Sequence, residues 1–147
     1  MKRVIIISAL TLFTLQLYAQ ESYWQVAQRA KYFGDEWNDL IEMRDGLQGD
    51  ALIRLYAYEY GYALAAQFVC ENLRNVGMRE FADLTDFFFS QIKIHEEDFF
   101  DKNIFNKNRI LLHVDLYEDG GKYTQYYRAG QDRIIKQTRR YTAFDFR

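Results

Sequence analysis

The chain has 147 residues, 27% charged and 49% hydrophobic, with a formal net charge of −2; this balance excludes a disordered polymer and argues against a nucleic-acid binder, which needs a basic face. Aromatic residues make up 18%, with 12 Phe and 12 Tyr, and there is no proline, so rings carry much of the burial and helices can run unbroken. The single cysteine, Cys70, excludes an intramolecular disulfide and leaves the fold to its core.

The chain opens with Lys2 and Arg3, then an apolar run from Val4 to Leu17, then Tyr18-Ala19 before Gln20 as a cleavage point. This is the order of parts in a secretory signal peptide. The leader resembles the signal peptides of Bacteroidota, where cleavage between Ala and Gln is familiar, and the resemblance implies a periplasmic or secreted product of a Gram-negative cell. The apolar run is shorter than the roughly 20 residues of a spanning helix, and Cys70 lies too far from the cut to carry a lipid anchor. Residues 1–19 are therefore expected to be a cleaved signal peptide and 20–147 a single domain with no stable membrane span.

The mature chain begins with helical periodicity. Val26, Ala30, Phe33, Trp37 and Leu40/Ile41 recur at three- and four-residue steps over about 22–45, with Ser22 as N-cap and Gly46 to Gly49 as the stop. A second helix over about 50–75, capped by Asp50 and ended by Gly77, is apolar on nearly every side and so belongs in the middle of the molecule. Tyr56, Tyr58, Tyr60 and Tyr62 alternate within it, so a strand competes here, but Ala63 to Asn72 continues as good helix. Ala57, Gly61 and Ala65 would let a neighbouring backbone come close. The third helix, about 78–100, carries the stripe Met78, Phe81, Leu84/Thr85, Phe88, Ile92, His95 and Phe99. Its exit, Asp101 to Asn108, reads as a loop.

Beyond Asn108 the period changes. Ile110, Leu112, Val114 and Leu116 alternate with Leu111, His113, Asp115 and Tyr117, and Glu118 to Gly121 supply turn residues. Ala129 to Asp132 form a second turn signal. Strands are expected over about 109–117, 122–128 and 133–146, giving an α+β fold: an N-terminal three-helix bundle followed by a small antiparallel β-meander of two or three strands.

Candidates for chemistry are few. Cys70 reads as a buried small apolar residue, since a reactive thiolate needs an exposed electropositive setting. His95 precedes Glu96, Glu97 and Asp98, but neighbours on a helix point in different directions and the spacing matches no metal motif, so it reads as part of a solvated acidic helix end. No metal and no cofactor is expected. Glu59 sits on the most apolar helix, where a buried carboxyl can serve as a general acid, and Arg54, five residues away, is a poor intrahelical partner. His113 and Asp115, two apart in an expected strand, would share a face as base and orienter. These three are the weak catalytic candidates.

The binding candidates lie at the C-terminus. Residues 21–121 carry 19 acidic and 10 basic side chains, and residues 122–147 carry 2 and 7. Either the basic tail packs across the acidic body or it docks on an acidic partner. Lys122, Tyr123, Tyr126, Tyr127, Arg128, Arg139, Arg140 and Tyr141 would converge if the strands pair, and Tyr and Arg are favoured at binding centres. The expected function is that of an exported, non-catalytic interaction protein with a protein partner in the cell envelope, for example an accessory or assembly component, docking through this basic, tyrosine-rich meander. The alternatives are a small periplasmic enzyme using Glu59 or His113/Asp115, and a small-ligand or glycan binder lined by the tyrosines.

Overall fold

The computed structural model describes residues 21–101 and 111–147; the leader and residues 102–110, with the start of the first expected strand, lie outside them. In chain order come α1 (Tyr23–Ala30), α2 (Phe33–Met43), a 3-10 turn (Arg44–Gly46), α3 (Asp50–Asn75), a 3-10 turn (Arg79–Phe81), α4 (Ala82–Glu96) with a π-type extension (Glu97–Asp101), α5 (His113–Tyr117), α6 (Thr124–Ile135) and α7 (Ala143–Phe146).

The first helical stretch starts where its chemistry indicates. Ser22 Oγ accepts from Gln25 N at 3.2 Å while Gln25 Oε1 accepts from Ser22 N at 2.9 Å, a reciprocal capping box. The expected single helix is broken at Lys31 and Tyr32, and two shorter helices result. α3 runs over the expected residues, but Asp50 does not cap it. Gly49, at φ +59, occupies the N-cap, and the Asp50 carboxylate accepts from Tyr123 Oη at 2.7 Å instead. At the other end Gly77, at φ +101, lets its own N–H reach Arg74 O and the Met78 N–H reach Leu73 O, both at 3.0 Å. That pair of bonds is the Schellman motif.

α3 is the axis of the molecule. Every residue from Leu55 to Ala66 is buried, as expected of a helix apolar on all sides. Tyr56 and Tyr60 turn one way, onto Phe99 at 6.5 and 5.6 Å between ring centres. Tyr62 and Tyr58 turn another, the first onto Phe33, Trp37 and Phe88, the second onto Tyr141 and Phe146. The helix, and not the tyrosine-faced strand, is therefore the structure of this segment.

The β-meander is absent. Among the described residues there is no strand, and the fold is helical throughout, not α+β. The alternation over 110–117 misleads because Leu112 and Val114 are 62% and 44% exposed while Leu111 and Leu116, five apart, are buried. Over 122–135 the buried positions are Tyr123, Thr124, Tyr127, Gly130, Ile134 and Ile135, recurring at three- and four-residue steps along one face of a helix. Ala129 to Asp132 is therefore the middle of α6 and not a turn. Beyond it, residues 137–142 are irregular, and α7 ends the chain with Phe146 buried.

Gly130 has a packing role. A Cβ built there would lie 2.0 Å from Tyr58 O, and one on Gly61 would lie 2.0 Å from Tyr127 O. The backbones of α3 and α6 are thus in direct contact at two reciprocal glycines. We expect Gly61→Ala and Gly130→Ala each to lower stability by about 3 kcal/mol, at the upper end of overpacking costs, and Gly46→Ala, which meets nothing within 4 Å, to leave it nearly unchanged. Chemical denaturation followed by circular dichroism measures the three values.

Candidate functional site

A strongly polar centre in the core is built around Glu59, on the buried stretch of α3. Its side chain is 0% exposed, and a lone carboxylate there would lose its hydration without replacement. Arg44, in the 3-10 turn after α2, supplies the replacement: Nη2 donates to Oε1 at 2.5 Å and Nε donates to Oε2 at 3.1 Å. This is the two-pronged geometry in which guanidinium and carboxylate bind best. The guanidinium also lies 4.3 Å from the centre of the Tyr56 ring. Burial works against its charge, and the bonds to Glu59 outweigh that effect, so its pKa stands above the ordinary arginine value.

The third member is His95 on α4, 1% exposed, with Nε2 at 2.9 Å from Glu59 Oε1. Its Nδ1 lies 2.9 Å from Gln91 O. A carbonyl oxygen only accepts, so Nδ1 carries a hydrogen, and one proton is then shared between Nε2 and Oε1. The rings of Trp37, Tyr56 and Phe99 surround the imidazole at 5.5 to 5.9 Å between centres. Four elements meet here: the end of α2, α3, α4 and its π-type extension.

A second buried polar contact adjoins it. Tyr60 Oη donates to Glu96 Oε2 at 3.0 Å and lies 3.1 Å from Tyr117 Oη. Burial, with Tyr117 and Glu96 adding to it, raises the Tyr60 phenol far above its usual range, so it stays neutral and able to donate.

A carboxylate holding an imidazole is the pairing used for general-base catalysis. Such a base must present its second nitrogen to a substrate, and in His95 that nitrogen is turned onto the carbonyl of its own helix. The centre therefore binds α2, α3 and α4 together with no ring nitrogen left over.

The other sequence candidates are scattered. His113 and Asp115 lie on the short helix α5, where residues two apart point to different sides and share no face. His113 is instead 3.7 Å from Glu118 and packed on Tyr117. Arg54 donates to Phe146 O at 3.0 Å. Among the binding candidates, Tyr123 and Tyr127 are buried, Tyr126 is half-buried beside Phe146, and Tyr141 is stacked on Tyr58 at 4.9 Å. The cations reach acidic groups: Lys122 pairs with Asp50 at 3.3 Å, Arg128 with Asp119 at 2.6 Å, Arg139 with Asp145 at 2.7 Å, and Arg140 with Asp39. The basic tail is thus laid largely across the acidic body; Arg139 lies over the Tyr141 ring at 4.7 Å and Tyr126 and Tyr141 both meet Phe146, while Tyr123 and Tyr127 are taken into the core.

Arg44 and the pairing of His95 with Glu59 escaped the sequence. A signal was present: Glu59 stands among apolar residues on one helix and His95 within the apolar stripe of another, and a buried polar group requires a partner. Comparison with protein-family models, with curated proteins and with solved structures gives no match.

Two outcomes follow from this chemistry. Arg44→Ala should cost about 3 kcal/mol by removing the guanidinium from the buried Glu59 and leaving it only His95, and adding Glu59→Gln should recover part of that loss, a coupling read from a double-mutant denaturation cycle; strictly additive losses would contradict it. Burial pushes the Cys70 thiol up to about 12, so iodoacetamide at pH 8 should leave the native protein unmodified and alkylate it only after unfolding, as mass spectrometry will register.

Proposed function

We propose that this chain is an exported, non-catalytic recognition protein of the cell envelope. The observation that carries the reading is the saturation of its only buried carboxylate–imidazole pair among the described residues: Glu59 and His95 are buried, and both ring nitrogens of His95 face partners within the core. An enzyme built on Glu59 would need access that this packing denies. The leader supports export, and among the described residues no helix is long and apolar enough to cross a membrane.

Recognition needs a different surface from the C-terminal one, whose rings are largely packed inward. The first helix offers it. Trp24 is 68% exposed, and Tyr23 and Tyr32 are exposed beside it in the same short stretch. Tryptophan and tyrosine are enriched where binding energy concentrates.

The test is affinity capture from envelope extracts with the mature chain, in parallel with a Trp24→Ala, Tyr32→Ala variant and an Arg139→Glu, Arg140→Glu variant. The expected result is an enriched component that the aromatic variant loses by at least about tenfold and the charge variant keeps. Equal capture by the parent and the aromatic variant, or no enrichment by either, overturns the reading.

A further inference from the structure

A cleft of about 280 Å³ opens where the junction of α1 and α2 faces the C-terminal end of α6. Its size is just below the roughly 300–1,000 Å³ typical of drug-sized ligand sites, which suits a small ligand. Tyr32 and Ile134 give it apolar wall, and Arg29, Glu36, Arg133 and Gln137 give it polar wall. We infer that this cleft binds a neutral polyhydroxylated ligand, a single sugar ring, with its apolar face against Tyr32 and its hydroxyls on the planar side chains opposite. The inference rests on the recognition reading above and names its ligand class.

Charge excludes the simplest competitor. Arg29 is paired with Glu21 at 3.0 Å and Arg133 with Glu36 at 2.9 Å, so the walls carry no uncompensated charge to select an anion. They do carry unused hydrogen-bonding capacity of both signs. Arg29 spends Nε and one N–H of Nη2 on Glu21 and one of Nη1 on Ile134 O, and Arg133 spends Nε on Glu36 and one N–H of Nη1 on Thr138 O. A guanidinium has five N–H groups, so each arginine keeps donors that meet no described residue. Glu36 takes both its arginine contacts, from Arg133 and Arg140, on Oε1, and Oε2 remains as an acceptor toward the described residues. Sugar hydroxyls both donate and accept, and neighbouring hydroxyls match the spacing of a flat carboxylate or guanidinium edge. A carboxylate ligand could use only the donors.

The backbone adds an independent observation. Gln137, just past the C-cap of α6, has φ +54, the only positive φ outside glycine among the described residues. Glycine is the ordinary occupant of that position. The side chain retained there against conformational preference lies on the cleft wall, with its amide on Glu21 Oε1 at 3.1 Å. Strain held at a cleft is a mark of a functional residue.

The experiment is saturation-transfer NMR and calorimetric titration of the mature chain with D-glucose, D-galactose, D-mannose and N-acetyl-D-glucosamine, with sodium acetate as the anionic comparison. The inference expects saturable binding of at least one sugar at millimolar concentration, none of acetate, and affinity lowered at least about tenfold in both Tyr32→Ala and Gln137→Gly. The second variant separates binding from structure, because glycine suits that φ and thermal stability should hold or rise while the sugar is lost. No sugar binding, acetate binding alone, or full affinity in both variants overturns the inference. Failure here with envelope capture still dependent on Trp24 and Tyr32 removes only the sugar, whereas chemical conversion of a bound sugar would remove the non-catalytic reading itself.

Discussion

The structure depends on the contact between two backbones. Where α3 and α6 cross, Gly61 faces Tyr127 O and Gly130 faces Tyr58 O with no room for a Cβ on either side. Glycine in a helix interior costs stability relative to alanine, and here that cost is offset by what the close approach allows. With the axes drawn together, Tyr60 reaches Tyr127 at 5.7 Å between ring centres, and the Tyr123 hydroxyl reaches Asp50 at the first turn of α3. The opposing hydroxyl and the nearby Lys122 ammonium then hold the Asp50 carboxyl below its ordinary range. α7 and the irregular segment before it complete the cover, with Phe146 and Tyr141 on Tyr58.

On the other flank of α3 the organising element is polar. The hydrophobic faces of α2, α3 and α4 would pack in several registers with similar burial, since non-directional contacts discriminate poorly between them. Arg44, Glu59 and His95 have one arrangement in which every bond is made, and a shift of any of the three helices strands a charge in the core. The aromatic rings around His95 exclude water and so raise the penalty for error. This centre has the outward form of catalytic machinery and the wiring of a structural joint. The difference lies in one atom, Nδ1, and the carbonyl it faces.

The sequence was most legible where a pattern had a single physical reading. The twelve-residue buried stretch of α3, its Gly77 stop and the Ser22 cap were all evident, because all-round apolarity, a C-terminal glycine and a serine before an amphipathic run each favour one structure. The C-terminal third was misread for two identifiable reasons. Short alternating segments such as 110–117 fit a strand and a helical turn equally well until burial decides between them. Gly130 reads as a turn signal in the sequence, whereas in the fold its missing side chain serves the contact of α6 with α3, where Gly61 gives the reciprocal close approach. The spacing of Tyr123, Tyr127, Gly130 and Ile134 held the correct answer. At the polar centre Glu59 stood out, but Arg44, fifteen positions earlier, and His95, thirty-six later, could be joined to it only by the fold.

Function follows from which rings are spent and which are spare. The tyrosines of α3 are consumed by the core, and the basic residues of the tail are largely paired with acidic groups of the body or of the tail itself. Among the rings left in water are Tyr23 and Trp24 on α1 and Tyr32 beside the neutral cleft, with Phe87 and Phe89 of α4 and Phe144 of α7 exposed elsewhere. The account stands on α6 being a helix docked on α3, and native-state hydrogen exchange reads this most directly. Amides of residues 127–135 should exchange as slowly as those of residues 55–66 and by the same global opening. Fast exchange across residues 127–135 with residues 55–66 still protected would show that the crossing is not the joint on which the molecule is built.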